Sequence, residues 1–318
     1  MSPLLFAALL AAAPMQTPTP PPASQAAPQQ SDPVELGDVE VTGRPLDEMI
    51  RSFVNEVGAP NRRRGLARWD DQICIGVANL RGEAAQYIID RVSMVANELG
   101  VIPGEPGCRP NVIIIASDDP AGLARQLTEE RRRAFRMGGS GMDRGRAALN
   151  AFVESDRPVR WWQMSMPTDS ATGGRAVKIP GECSGACDSP GDFAPTISVF
   201  AASRLTTQIV DYIFRTIVIL DIDQVTRVSG QQLADYVAMV TLAQIDPEAD
   251  PSAYASILNV FDDPGVAEGL TEWDTAYLRG LYNAERNRRN LHAGRTEIAD
   301  SIHRAHQQLR EGEEAGTE

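Results

Sequence analysis

The sequence predicts an α+β fold: a mixed sheet with packed helices and one central buried helix. Three observations carry this. Strand-like and helical patterns alternate from Gln72 to Arg133, as in a sheet flanked by helices. Residues Asn111–Ala116 contain a continuous apolar run, the mark of a strand covered on both faces. Leu233–Ile245 is apolar nearly all round, so protein should surround that helix.

The elements follow in chain order. Val34–Thr42 alternates and reads as an early strand. Leu46, Met49, Ile50, Phe53, Val54 and Val57 recur at helical spacing. Gln72–Leu80 is strand-like, and Glu83–Leu99 is an amphipathic helix stopped by Gly100. Helices are expected over Asp118–Arg133 and Asp143–Glu154. Between them, Gly138–Gly141 lacks the Lys-Ser/Thr of a phosphate loop and reads as a connector. Pro158–Met166 is a strand with Trp161 and Trp162 on opposite faces. Ala194–Ala202 and Thr207–Asp221 read as further strands, the second rich in β-branched residues. Ser229 and Gln232 form a capping box that opens the buried helix. Thr271 caps the next helix, which carries Trp273, Tyr277, Leu278 and Leu281.

A chain of 318 residues with 42% hydrophobic and 23% charged side chains can bury a core without metal or staples. Its 4 Cys and 3 His exclude zinc-finger and iron–sulfur architectures and most histidine-based catalysis. The net charge of −13 repels phosphate backbones, so nucleic acid is not an expected partner. Two basic clusters, Arg125–Arg146 and Arg62–Arg64 with Arg68, read as solvated helix faces.

Residues Pro3–Ala13 form an apolar run too short to span a bilayer, and no transmembrane helix is expected. The run fits the apolar region of a signal peptide, with a small-residue site at Ser24-Gln25-Ala26; no Lys or Arg precedes it. The alternative is an inert Ala/Pro-rich N-terminus. The export reading divides the chain into a signal peptide over 1–26, a Pro/Gln-rich disordered linker over 27–45 and one domain over 46–291. A helical, then acidic and disordered tail covers 292–318. It places the protein in the periplasm or outside the cell, where cysteines oxidise. Cys74 and Cys108 flank neighbouring strand-like runs and are well placed to pair; Cys183 and Cys187 enclose a short loop. Free buried thiols and a metal site are the other readings of these four.

The buried helix, a tight turn at Ser256-Ile257-Leu258, and the pattern Leu270, Thr271, Asp274, Leu278, Leu281 and Tyr282 resemble the C-terminal part of a zincin metallopeptidase. They are most similar to the matrixin-like branch. The resemblance covers about Thr207–Tyr282 and implies a zincin-like fold. In that family two His and a Glu on one helix bind zinc and activate water. Here the corresponding degenerate-site positions hold Asp235, Tyr236 and Met239, the third-ligand place holds Ile245, and Leu258 replaces the Met of the turn. Alkyl and thioether groups are poor zinc ligands. His292, His303 and His306 all lie beyond the closing helix.

Sequence reasoning therefore assigns no catalytic residue, metal or cofactor. It expects an exported, non-catalytic protein that uses a degenerate metallopeptidase-like fold for binding or scaffolding in the cell envelope, with a peptide or envelope protein as partner. The alternatives are a hydrolase that uses acidic residues, marked by a pocket with raised-pKa carboxylates, and a structural envelope protein. A free strand edge beside an apolar groove would mark peptide binding.

Overall fold

Helix α1 (Leu46–Glu56) sets the frame by burying Ile50, Phe53 and Val54 at the helical spacing expected of them. The computed structural model describes residues 44–135, 141–179, 181–182, 187, 189–199 and 203–316. The expected signal peptide, most of the linker and the early strand over 34–42 lie outside these residues.

Strands β1 (Gln72–Ile73) and β2 (Ile75–Ala78) are two parts of one run interrupted at Cys74. Helix α2 (Gly82–Glu98) then returns the chain to β3 (Ile102–Pro103), which pairs in parallel with β1. β4 (Val112–Ser117) pairs in parallel with β2, and β6 (Ile209–Asp221) in parallel with β4. β5 (Val159–Asp169) closes the sheet antiparallel to β6, giving the order β2-β4-β6-β5. The sheet is thus mixed and the fold α+β, as the sequence predicts.

Each face of the sheet carries its own core. On one face Val112, Ile114, Trp161, Val218 and Leu220 pack with α1, α2 and the C-terminal helices. On the other, Trp162, Met164, Ile217 and Ile219 pack beneath α3 (Pro120–Glu130), the short α4 (Arg132–Phe135) and α5 (Arg146–Glu154). The neighbouring tryptophans belong to different cores because successive strand side chains point to opposite faces. β5 is one of the two sheet edges, β2 being the other, and ten of its eleven residues are buried. Met142 O accepts from Ser165 N, and Pro167 O accepts from Ala176 N, so neighbouring segments occupy part of this edge.

Helix α6 (Gly230–Leu242) follows β6 and is buried at ten positions. Ser229 and Gln232 cap it reciprocally, at 3.1 and 2.8 Å. It stops three residues before the expected Ile245. The chain after Leu242 runs extended and pairs with 57–59 instead: Ala59 N donates to Gln244 O at 2.8 Å and Asp246 N to Val57 O at 2.8 Å. A turn over Ile257–Asn259 leads to α7 (Glu272–Asn283), capped by Thr271 and Asp274 as a second capping box.

One expected strand is not formed. Residues 194–199 of the expected strand Ala194–Ala202 are irregular, with Val199 more than half exposed and Pro195 denying an N–H to any ladder; 200–202 lie outside the described residues. The segment after 291, expected to be helical before an acidic end, forms the long helix α8 (Leu291–Gly316). Its Ile298, Ala299, Ile302 and Ala305 are buried with α1 and α7 in the first core. Gly280 permits the α7–α8 crossing, because a Cβ there would overlap the backbone of Ile302.

Cys74 and Cys108 form a disulfide with Cα atoms 6.1 Å apart, tying the β1–β2 break to the loop before β4. Cys187 is also disulfide-bonded; Cys183 lies outside the described residues. No helix among the described residues is long and apolar enough to cross a membrane.

Candidate functional site

The degenerate-site positions expected from the sequence lie on the buried helix α6. Asp235 there is completely buried, and both its oxygens are engaged. Arg91 of α2 forms a two-pronged ion pair with it, donating through Nε to Oδ1 and through Nη2 to Oδ2 at 3.1 Å. Leu270 N donates to the same Oδ2 at 3.0 Å. The hydrogen bond to Asp235 raises the Arg91 pKa further. Arg91 sits on α2 and Leu270 just ahead of α7, so this carboxylate joins three helical segments. Even the neighbouring backbone is fitted to it: a Cβ on Gly269 would collide with Asp235 Oδ2.

Tyr236 points elsewhere, because one residue along a helix rotates the side chain by about 100°. Its ring packs edge-on against Trp161 and Phe261, with centroids 6.1 and 5.0 Å away. Burial pushes its hydroxyl far above the ordinary phenol range, so it remains protonated at neutral pH. Met239 is fully buried in the same core, to which the buried Ile245 and Leu258 also belong. The helix brings Asp235, Tyr236 and Met239 onto one element but not around one point. Zinc needs several free lone pairs converging on a reachable position; one buried, ion-paired carboxylate, one wedged phenol and one thioether do not fit it. Among the described residues no three His, Cys, Asp or Glu side chains converge.

The turn beneath is fixed by a second buried carboxylate. Asp274 accepts from Ser256 Oγ at 2.6 Å, Ile257 N at 2.8 Å, Thr271 N at 3.0 Å and Thr271 Oγ1 at 2.8 Å. Burial pushes its pKa up, and these hydrogen bonds oppose the push. Asp274 appeared in the sequence only as part of a helix pattern; its capping-box position was the available signal for this wider anchoring role.

The histidines take no part here. On α8, His303 Nε2 lies 3.3 Å from Asp47 of α1, and His306 Nδ1 lies 3.5 Å from Glu272 of α7. Each faces a different neighbour, so the pair does not form a shared metal site.

The missed feature is a cavity of about 170 Å³ beside the start of β6. Its wall combines the loop 60–66, the start of β6, the segment 285–289 and the first turns of α8. Six arginines line it, against the two carboxylates Asp211 and Glu285. Arg64 holds Asp211 through Nε at 2.8 Å and Nη2 at 2.6 Å. Arg286 lies over the Tyr212 ring, 4.2 Å from its centroid, and donates to Asp211 O at 2.8 Å. Burial raises the Asp211 pKa against the pull of Arg64, and lowers that of Arg286. Behind them Arg68 donates to Leu281 O at 2.7 Å, and burial lowers its pKa to about 10. Arg63, Arg64 and Arg68 belong to a cluster that the sequence reads as a solvated helix face. Instead they sit in a loop folded onto β6: Ile213 N donates to Arg68 O at 2.8 Å.

No family model, no characterised protein and no solved structure matches this chain.

Proposed function

We propose that this is a non-catalytic binding protein of the cell envelope, built on a zincin-like fold whose metal centre has become a structural joint. The observation that carries this reading is the engagement of both oxygens of the fully buried Asp235. Its oxygens already accept from Arg91 and Leu270 N, and no water-reachable lone pair is left for a metal or a substrate proton. The order of elements supports the zincin-like part: a buried helix after the last sheet strand, a tight turn, then a capped closing helix. The Cys74–Cys108 disulfide supports an oxidising compartment.

The alternative of acid-based hydrolysis has one observation in its favour. Asp211 is a cavity carboxylate whose pKa burial raises. A carboxylate-pair mechanism needs two available acids; here Arg64 clamps Asp211, and the other cavity carboxylate, Glu285, faces Arg288 at 3.7 Å. Peptide capture by strand addition at β5 is disfavoured by the burial of that edge.

Elemental analysis of the untagged protein tests the reading. The expected result is well under one equivalent of zinc and no chelator-sensitive peptidase activity. Stoichiometric zinc with such activity contradicts it. Location is tested separately: the protein recovered from the envelope fraction should begin near Ala27, and full-length protein confined to the cytoplasm would refute export.

A further inference from the structure

We infer that the arginine-lined cavity binds a small organic anion, a carboxylate or phosphate carried on an apolar body. The inference concerns a site with no α6 residue in its wall and stands whether or not that helix holds a metal.

Charge is the first argument. The chain carries a net −13, yet six of its arginines surround one cavity. Internal partners neutralise only some of them. Arg64 is spent on Asp211, and Arg288 lies 3.7 Å from Glu285 and 3.4 Å from Glu297. Arg289 donates to Ser203 O at 3.1 Å and Arg295 to Asn55 Oδ1 at 3.2 Å, both uncharged acceptors. Arg63 has no ion-pair partner among the described residues, and its backbone is held at φ 63°. Like charges gathered without counter-charge repel one another, and an anion between them removes that cost.

Preorganisation is the second. The arginine segment is pinned against the chain entering β6: Thr207 N donates to Asn287 O at 2.7 Å and Arg289 N to Leu205 O at 3.0 Å. Arg286 is fixed over Tyr212 and already stripped of much of its water. Planar guanidiniums held in place match the paired oxygens of a carboxylate or phosphate.

Shape and polarity complete the class. Leu66, Ile209, Val210, Leu291 and Ile298 form apolar wall between the charges. The volume of about 170 Å³ suits a body of roughly benzene size, since a dry cavity of about 150 Å³ holds one such ring. A bare inorganic ion would leave the apolar wall uncovered.

Calorimetric titration of the full chain with benzoate, phenyl phosphate and neutral benzamide provides the test, repeated at low and physiological ionic strength. At least one of the two anions should bind and benzamide should not, with affinity falling as salt rises. Preference between benzoate and phenyl phosphate identifies the head group. The double variant Arg289→Gln/Arg295→Gln, both residues at the surface end of the wall, should weaken anion binding about tenfold or more. Arg132→Gln, in the other basic cluster, should leave it unchanged. Binding of neither anion, equal binding of benzamide, or a double variant that binds as tightly as the wild type overturns the inference. Unchanged far-UV circular dichroism of the double variant separates lost binding from lost fold.

Discussion

Asp235 and Asp211 are both buried aspartates held by an arginine, yet their surroundings differ in every other respect. Asp235 is sealed among α2, α6 and the start of α7, its charge balanced by Arg91 alone and its oxygens fully engaged. Asp211 lies at a cavity wall where Arg64 is only the first of several cations, and it keeps 7% side-chain exposure. The difference teaches that an ion pair does not reveal its role by itself. Charge balance and access around it decide whether it locks helices together or leaves field available to a ligand.

Removing the two arginines is the sharpest way to break that comparison. Arg91→Ala strands a fully buried carboxylate and should cost about 3–5 kcal/mol in urea denaturation. That is a large part of the roughly 5–15 kcal/mol typical of a domain. Arg64→Ala leaves Asp211 beside Arg286 and near water, so about 1–3 kcal/mol is expected. Equal costs, or the reverse order, would end the distinction between a sealed joint and an open wall.

A change that touches neither aspartate nor its arginine serves as reference. Cys74→Ser/Cys108→Ser opens a loop spanning a sequence separation of 34 and should cost about 3–4 kcal/mol through unfolded-state entropy. It should leave anion binding at the cavity unaltered. Gly280→Val probes what joins the two regions, because α8 begins at the cavity and crosses α7 at this glycine. Overpacking should cost about 1–3 kcal/mol, and anion affinity should fall with it as the wall at Ile298 shifts. The smallest effect is expected for Arg289→Gln alone, within about 0.5 kcal/mol on stability; calorimetry should register it as weaker anion binding.

Much of the joint was legible in the sequence, and almost none of the cavity. The capping boxes Ser229–Gln232 and Thr271–Asp274 are local signals, so α6 and α7 start where the sequence predicts. The apolar run of β4, the split of Trp161 and Trp162 between two faces and the Cys74–Cys108 bridge follow from short-range pattern and strand adjacency. The engagement of Asp235 was hidden because Arg91 is 144 residues away and its place on α2 marks only a polar position. The helical character of α8 is legible, but its packing into the first core is not, because Ile298, Ile302 and Ala305 form only a narrow apolar stripe on a polar helix. The cavity joins arginines from the loop near Arg64 to those near Arg289, and a net charge of −13 conceals such a local excess of the opposite sign.

The central claim is that Asp235 belongs to a structural joint and not to a metal site. Thermal melting of the untagged protein, alone, with excess chelator and with one equivalent of zinc, tests it most directly. One melting temperature is expected in all three conditions, because among the described residues no ligand set converges on α6, and no folding energy then comes from metal. A melting temperature that rises with zinc, falls with chelator and loses both responses in Asp235→Asn would contradict it.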